Sequence, residues 1–464
     1  MASKQRDPSP VDPEKVGLDV SQSLSAQRGT ILEHSHDADE AMKAFEGRQG
    51  HIEIDEATNK RLLRLIDWHL MPILCCVYGL NFLDKTTLSY ASIMGIKDDI
   101  HLKAAVSGFG GAVAIRFFLG VFEAAVTPGF ALFTSQWYTK HEQGTRIGIW
   151  FSFNGVAQIF GGLVAYGIAV GTEKNPASIA GWKILFLVTG LLTAAMGIVF
   201  FFFMPDNQLN ARWLTKEDRV LAVERVRVNQ QGIGNKHYKL YQLKEALLDP
   251  LTWAFVFYAL VAGKFQEQVT GIKSFGYSEN ESLLYGTPGG AVEIVTLIIS
   301  GYLGDRFGQR LLISMLGLSL ALLGIILIVA LPQSNPHGRI AGYYLTQAGA
   351  TPFVALLSLV ATNIAGYTKK TTVAALYLIA YCVGNIIGPQ TFRPQDAPTY
   401  RSAEITIIVC YALGLLDVFF IWWYCKQQNT KKAKARAEPG YVKLENQEWL
   451  DLTDKENPEF DYAL

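Results

Sequence analysis

The chain has 464 residues, half of them hydrophobic and only 18% charged, with a formal net charge of zero. A charged fraction below the roughly 25% of soluble domains argues against an ordinary soluble enzyme. A neutral balance gives no electrostatic footprint for nucleic acid.

In chain order, Met1 to about Lys60 is polar, without a helical apolar period, and reads as a disordered cytoplasmic tail (1–60) rather than a cleavable signal. His34, His36 and His51 lie there and read as solvated residues, with no metal site expected. Ten apolar stretches then approach the roughly 20 residues that a bilayer core demands. They run Leu70–Met94, Arg116–Tyr138, Ile147–Val170, Ile184–Met204, Leu251–Gly263, Leu283–Leu303, Leu311–Leu331, Ile340–Ala365, Thr372–Thr391 and Ile405–Tyr424. Asp84 and Lys85 interrupt the first, and Lys264 cuts the fifth short. The five cysteines (Cys75, Cys76, Cys382, Cys410, Cys425) all sit in apolar runs without CxxC spacing, so neither disulfides nor zinc are expected.

Between the fourth and fifth stretches, Pro205–Asp249 carries eight Lys and Arg, and the region after Tyr424 adds Lys426, Lys431, Lys432, Lys434 and Arg436. The positive-inside rule makes these segments and both termini cytoplasmic. The predicted organisation is an N-terminal membrane bundle at 61–204, a cytoplasmic central loop at 205–249, a C-terminal bundle at 250–425 and a cytoplasmic tail at 426–464. Within the loop, Thr215-Lys216-Glu217-Asp218 forms a capping box ahead of a charged helix over Val220–Gln230.

Arg116 and Glu123 are seven residues apart, which puts both on one helix face about 10 Å apart. Ionisable groups at membrane depth cost several kcal/mol and persist where they face a polar cavity or an ion path. The pair reads either as a solute site or as a structural ion pair. Asp84, roughly 24 Å along a helix from Trp68, stands either in the same cavity or at the outer interface. Asn154 and Gln158 share a face at i, i+4. With Asn385 and Asn363 they are candidates to line the cavity or to hydrogen-bond between helices. Glu293, after Pro288-Gly289-Gly290, is a further intramembrane acid, and Asn280-Glu281-Ser282 is a formal glycosylation sequon. No metal cluster, nucleophile elbow or phosphate loop is present in the sequence, so no enzyme and no cofactor are expected.

Gly301-Tyr302-Leu303-Gly304-Asp305-Arg306-Phe307-Gly308-Gln309-Arg310 joins two apolar stretches. Its pattern, G-x-L-x-D-R-x-G-x-R, is similar to the cytoplasmic loop signature of the major facilitator superfamily. Asn81-Phe82-Leu83-Asp84-Lys85-Thr86, Arg116–Ala124 and Trp150-Phe151-Ser152-Phe153-Asn154-Gly155 look like the anion:cation symporter branch. Thr362–Lys370 and Gly384–Gln390 resemble the fungal allantoate permease group, whose relatives carry ureides, nicotinate, pantothenate and other carboxylates.

The resemblance, over roughly Arg61 to Tyr424, implies an all-α major facilitator fold with two six-helix halves rocking around a central cavity. It implies proton coupling through Asp84 and Glu123, and anion binding by Lys85 and Arg116, with Asn154, Gln158 and Asn385 as lining. The loop residues Gly301, Asp305, Arg306, Gly308 and Arg310 would gate without touching solute. The family usually has Arg where Lys85 stands, so a planar two-pronged grip is lost there. A monomer in the plasma membrane is expected, with a small organic anion and protons as partners.

The chain departs from the pattern between Leu102 and Arg116, where the short stretch Lys103–Ile115 stands in place of two helices and a loop. Helices 2 and 3 are read as absent, giving about four helices in the first bundle and six in the second. Loss of an even number leaves the orientation of later spans unchanged. Gly263–Ser274 is a second shortfall, in the family's helix 7. The leading expectation is a proton-coupled importer of a small carboxylate working by alternating access. The alternative is a non-transporting membrane sensor, or a defective splice or gene-model product of such a transporter.

Overall fold

A computed structural model describes residues 53–94, 96, 107–174, 179–229, 237–262, 277, 279–393, 395, 401–439, 441 and 451–464. These residues form α-helices and short 3-10 turns, with no strand among them. The early tail, the 97–106 join and the 263–276 shortfall lie outside the described residues, as does the side chain of Asn280 in the sequon.

The first group of helices is α1 (Glu56–Ile93), α2 (Ser107–Glu123), α3 (Val126–Trp137), α4 (Lys140–Lys174) and α5 (Gly181–Phe203). Helix α1 begins before the predicted tail boundary and well before the predicted span. Asp55 caps it by accepting from the Thr58 amide at 3.0 Å, so polar and charged residues form its first turns. The span predicted from Arg116 is in fact two helices broken at Ala124 and Ala125, and α2 starts well ahead of Arg116. Small and apolar residues from Ser107 to Ile115 continue the helix there without a charge to stop it.

The predicted capping box is met in half: Thr215 caps the helix, but the Asp218 carboxylate bonds Arg61 instead of returning to the Thr215 amide, and the helix begins at Lys216, ahead of the predicted Val220. Thr215 Oγ1 accepts from the Asp218 amide at 3.1 Å, and α6 (Lys216–Arg227) follows. Helices α7 (Leu240–Leu248) and α8 (Pro250–Ala262) are bent against each other by 65°. The second group continues with α9 (Glu279–Phe307), α10 (Arg310–Ala330), α11 (Pro336–Thr346), α12 (Ala350–Asn363), α13 (Tyr367–Ile387) and α14 (Arg401–Arg436). Eight spans among the described residues are long and apolar enough to cross a membrane, or nine if the bent pair counts as one.

Within the first group α1 packs on α4 and α5; within the second, α10 packs on α11 and α14, and α8 on α13. The groups meet chiefly along α4 and α9, which share the largest helix–helix contact. Glycine permits this approach. A Cβ on Gly155 would lie 2.3 Å from the Gly290 carbonyl oxygen, and one on Gly290 would lie 2.5 Å from that of Gly155. Helices in lipid lack a hydrophobic drive toward each other, so small residues that let backbones touch supply dispersion instead.

Candidate functional site

Asp84, Lys85, Arg116 and Glu123, four of the five ionisable residues predicted at membrane depth, are gathered in one cluster. Arg116 donates from Nη1 to the Asp84 carbonyl oxygen at 3.2 Å, and its guanidinium lies 5.7 Å from the Phe186 ring centre. Asp84 Oδ2 accepts from the Thr193 hydroxyl at 2.9 Å. Glu123 is within electrostatic reach of Lys85, Asp84 and Arg116. Its Oε1 is shielded from solvent and has no hydrogen-bond partner. None of the four joins another in a side-chain ion pair. Lys85 also lies near Cys382 of α13, and so faces the second group.

A second layer lies at a level that helix geometry defines. Asn154, Glu293 and Tyr381 are equally far along continuous helix from Lys140, Phe307 and Tyr367, the respective ends of their helices toward α6. That separation corresponds to about 21 Å of helix, close to mid-membrane. Asn154 is buried beside the Tyr78 hydroxyl, and its Oδ1 has no partner. Glu293 is buried within reach of Tyr78, Tyr343 and Tyr381. The rings form a chain across the two groups, with centres 5.1 Å apart for Tyr78–Phe151, 5.8 Å for Phe151–Phe353 and 4.6 Å for Phe353–Tyr381.

Two of the amides predicted to line the cavity have hydrogen-bond partners in the protein. Gln158 donates across the groups to the Tyr343 hydroxyl at 3.3 Å and the Gly286 carbonyl at 3.4 Å. Asn385 donates to the Tyr381 carbonyl of its own helix at 3.0 Å. Gln158 thus makes the helix-to-helix hydrogen bond that the sequence left open as its alternative, whereas the Asn385 bond stays within one helix. Asn363 bonds instead to the Ala463 backbone, outside any helix.

The sequence reading passed over Tyr78, Tyr343, Tyr381 and the intramembrane acid Asp417, whose Oδ2 is shielded without a partner. Counting residues from the charged end of each span would have found the tyrosine and acid level. Asp417 needed only a scan for acids inside the last apolar stretch.

At the end of the bundle that carries α6, the loop signature ties the groups together. Gly308 adopts φ +64°, the left-handed conformation that lets α9 stop and α10 begin two residues later. Asp305 accepts from the Thr145 amide and hydroxyl, both at 2.6 Å, in the first turns of α4. The positive end of the α4 dipole favours an anion there. Arg310 bonds Asp305 at 2.7 Å, the Thr362 hydroxyl at 3.3 Å and the Lys140 carbonyl. Gly301 closes against the Gly144 carbonyl, where a Cβ would lie at 2.8 Å. Arg306 is exposed and donates only to Tyr302 of its own helix, at 3.0 Å. A cleft of about 750 Å³ opens beside this contact, lined by Asp67, Arg146, Asp305 and Arg306 among others.

The family model described as Major Facilitator Superfamily matches residues 100–389. The chain belongs to the major facilitator superfamily. An uncharacterised transporter of Schizosaccharomyces pombe is 36% identical, covering 89% of this chain and 91% of that protein. The allantoate permease of Saccharomyces cerevisiae is 31% identical, covering 96% of this chain and 94% of its own. Among solved structures, a proton:xylose symporter of the superfamily matches with a TM-score of 0.50 at 14% identity, covering 80% of this chain and 88% of the other. At that identity the likeness speaks for the fold alone. The molecule is an integral membrane protein, a transporter of the major facilitator superfamily.

Proposed function

We propose that the protein carries a small organic anion, such as a carboxylate of the allantoate, nicotinate or pantothenate kind, together with protons by alternating access. The observation that carries this reading is the cluster Asp84, Lys85, Arg116 and Glu123. Two cations and two acids lie within reach at membrane depth, none neutralised by a direct side-chain pair within the cluster. A lone buried charge is costly and normally finds a partner. Lys85 and Arg116 would take the carboxylate, and Asp84 and Glu123 the protons.

Coupling follows from electrostatics. An acid beside a cation is ionised more readily, and an anion that occupies the cation removes that help. Substrate and proton affinity then rise together, which is a reciprocal coupling free energy between two sites. The buried Glu293, ringed by Tyr78, Tyr343 and Tyr381, offers a further proton stop on the second bundle's side. The loop residues Asp305 and Arg310 would close the cytoplasmic side, with both termini cytoplasmic and the plasma membrane as the site of action.

The absence of helices 2 and 3 belongs to the same proposal. The pairing with the fission-yeast relative runs over 468 positions yet uses only 89% of this 464-residue chain, so it opens gaps in this chain. Cells or vesicles expressing the protein should accumulate labelled carboxylate faster at acidic outside pH, and a protonophore should collapse that accumulation. Glu123→Gln should abolish uphill accumulation while leaving exchange. Uphill uptake by that variant at the wild-type level would refute the proton role.

A further inference from the structure

We propose that the segment 451–464 is an internal strap that clamps the α6-side gate shut, and that it must leave before the two bundles can part there. The proposal rests on the alternating-access reading only for its consequence in transport; docking and gate opening are measured without substrate.

The strap is locally ordered. The Thr453 amide donates to Glu456 Oε2 at 2.9 Å, and the Glu456 amide donates to Thr453 Oγ1 at 3.2 Å, a reciprocal capping box. The Glu459 amide then donates to Asn457 Oδ1 at 2.9 Å. Thr453, Asp454 and Phe460 are wholly buried. A solvated tail has no reason to hide three such side chains.

Its docking uses specific chemistry on the second bundle. Asp454 pairs with the buried Lys369 at 2.7 Å. The Asn363 amide grips the backbone of Ala463 both ways, donating at 2.9 Å and accepting at 2.7 Å, and Asn429 does the same to Tyr462, both at 2.8 Å. A paired amide of this kind mimics one rung of a strand ladder and recognises backbone.

The strap also holds the first bundle. The Lys140 ammonium, in the first turn of α4, donates to the Asp461 carbonyl at 3.1 Å and sits 3.8 Å from the Phe460 ring centre. Arg310 completes the clasp: its amide donates to the Leu464 carbonyl at 2.5 Å while its guanidinium holds the Lys140 carbonyl. The strap therefore crosses the seam that the loop signature closes. Opening there requires α4 to leave α9 and α10, which pulls Lys140 off Phe460.

Two thiol reporters test this in the full-length protein in inside-out vesicles, with labelling by a membrane-impermeant maleimide read peptide by peptide. The native Cys425, buried where Asn363 meets the strap, reports docking. Ser358→Cys, buried beneath Arg310 between the bundles, reports the gate. Phe460→Ala removes the ring under Lys140. Thr453→Glu leaves no cavity and instead sets a carboxylate against Glu245, which the native hydroxyl meets at 3.1 Å.

Each variant should speed labelling of both thiols by about a hundredfold, Phe460→Ala through the cost of a lost core ring and Thr453→Glu through carboxylate repulsion, each read through local opening. Unchanged Cys425 labelling in both variants overturns the docking. Fast Cys425 labelling with Ser358→Cys still protected overturns the clamp, leaving a strap that decorates one bundle. A loss of transport in wild-type protein, with both thiols behaving as expected, would count against the carrier function and not against the strap.

Discussion

Lys369 is the most consequential single charge in the structure, and replacing it with Met tests how that end of the molecule is held together. Its side chain is 0% exposed, and its ammonium lies 2.7 Å from Asp454, 2.9 Å from Glu245 and 2.9 Å from Asp249. Lys455, itself 40% exposed, pairs with Asp249 at 3.1 Å and is the second cation of the group. Lys369→Met keeps the stem's packing but leaves three carboxylates facing one partly solvated cation. Removing one partner of a buried pair costs about 3–5 kcal/mol, because the other charge stays desolvated.

The Lys60–Glu56 pair is the control. It is shorter, at 2.5 Å, but its side chains are 63% and 81% exposed, so Lys60→Met should leave stability essentially unchanged. At roughly 2 °C per kcal/mol for a protein of this size, Lys369→Met should melt about 6–10 °C lower and Lys60→Met almost unchanged. Heating detergent-purified protein and measuring the monodisperse fraction by gel filtration separates them. Adding Asp454→Asn to Lys369→Met should recover stability by removing one of the crowded acids. Equal melting of Lys369→Met and wild type, or a further loss in the double variant, refutes the reasoning.

Arg116→Ala should raise the KM for carboxylate uptake at least tenfold, since a charge-assisted bond contributes about 1.5–3 kcal/mol; an unchanged KM removes the anion assignment. Gly155→Ala places a methyl about 1 Å inside normal contact with the Gly290 carbonyl, costing about 1–3 kcal/mol and lowering the melting point, whereas Gly120→Ala, with nothing within 4 Å, should be neutral. Equal behaviour of the two glycine variants would show that the α4–α9 approach has slack the structure does not suggest.

Much of the architecture was legible in the sequence because it is written locally. Apolar length marked the spans, and the apolar run that stops before Lys264 matches the 13 residues of α8. The Thr215 N-cap and the turn at Gly308 are encoded within a few residues, so each was found where it stands. Helical spacing alone placed Arg116 and Glu123 on one face. Helix starts were less legible, since α1 and α2 begin in residues whose polarity or smallness gives no apolar signal.

The tertiary structure decided everything that depends on how helices pack. Asp84 and Thr193 are 109 residues apart, Gln158 and Tyr343 185, and Lys140 and Asp461 321. No local period records such pairs, because their energy arises only after long loops close and water is expelled between helices. Nothing local marks Lys369 as a buried anchor, which it becomes once Glu245, Asp249 and Asp454 from distant segments surround it. Folding, and not composition, turned a polar tail into a buried strap.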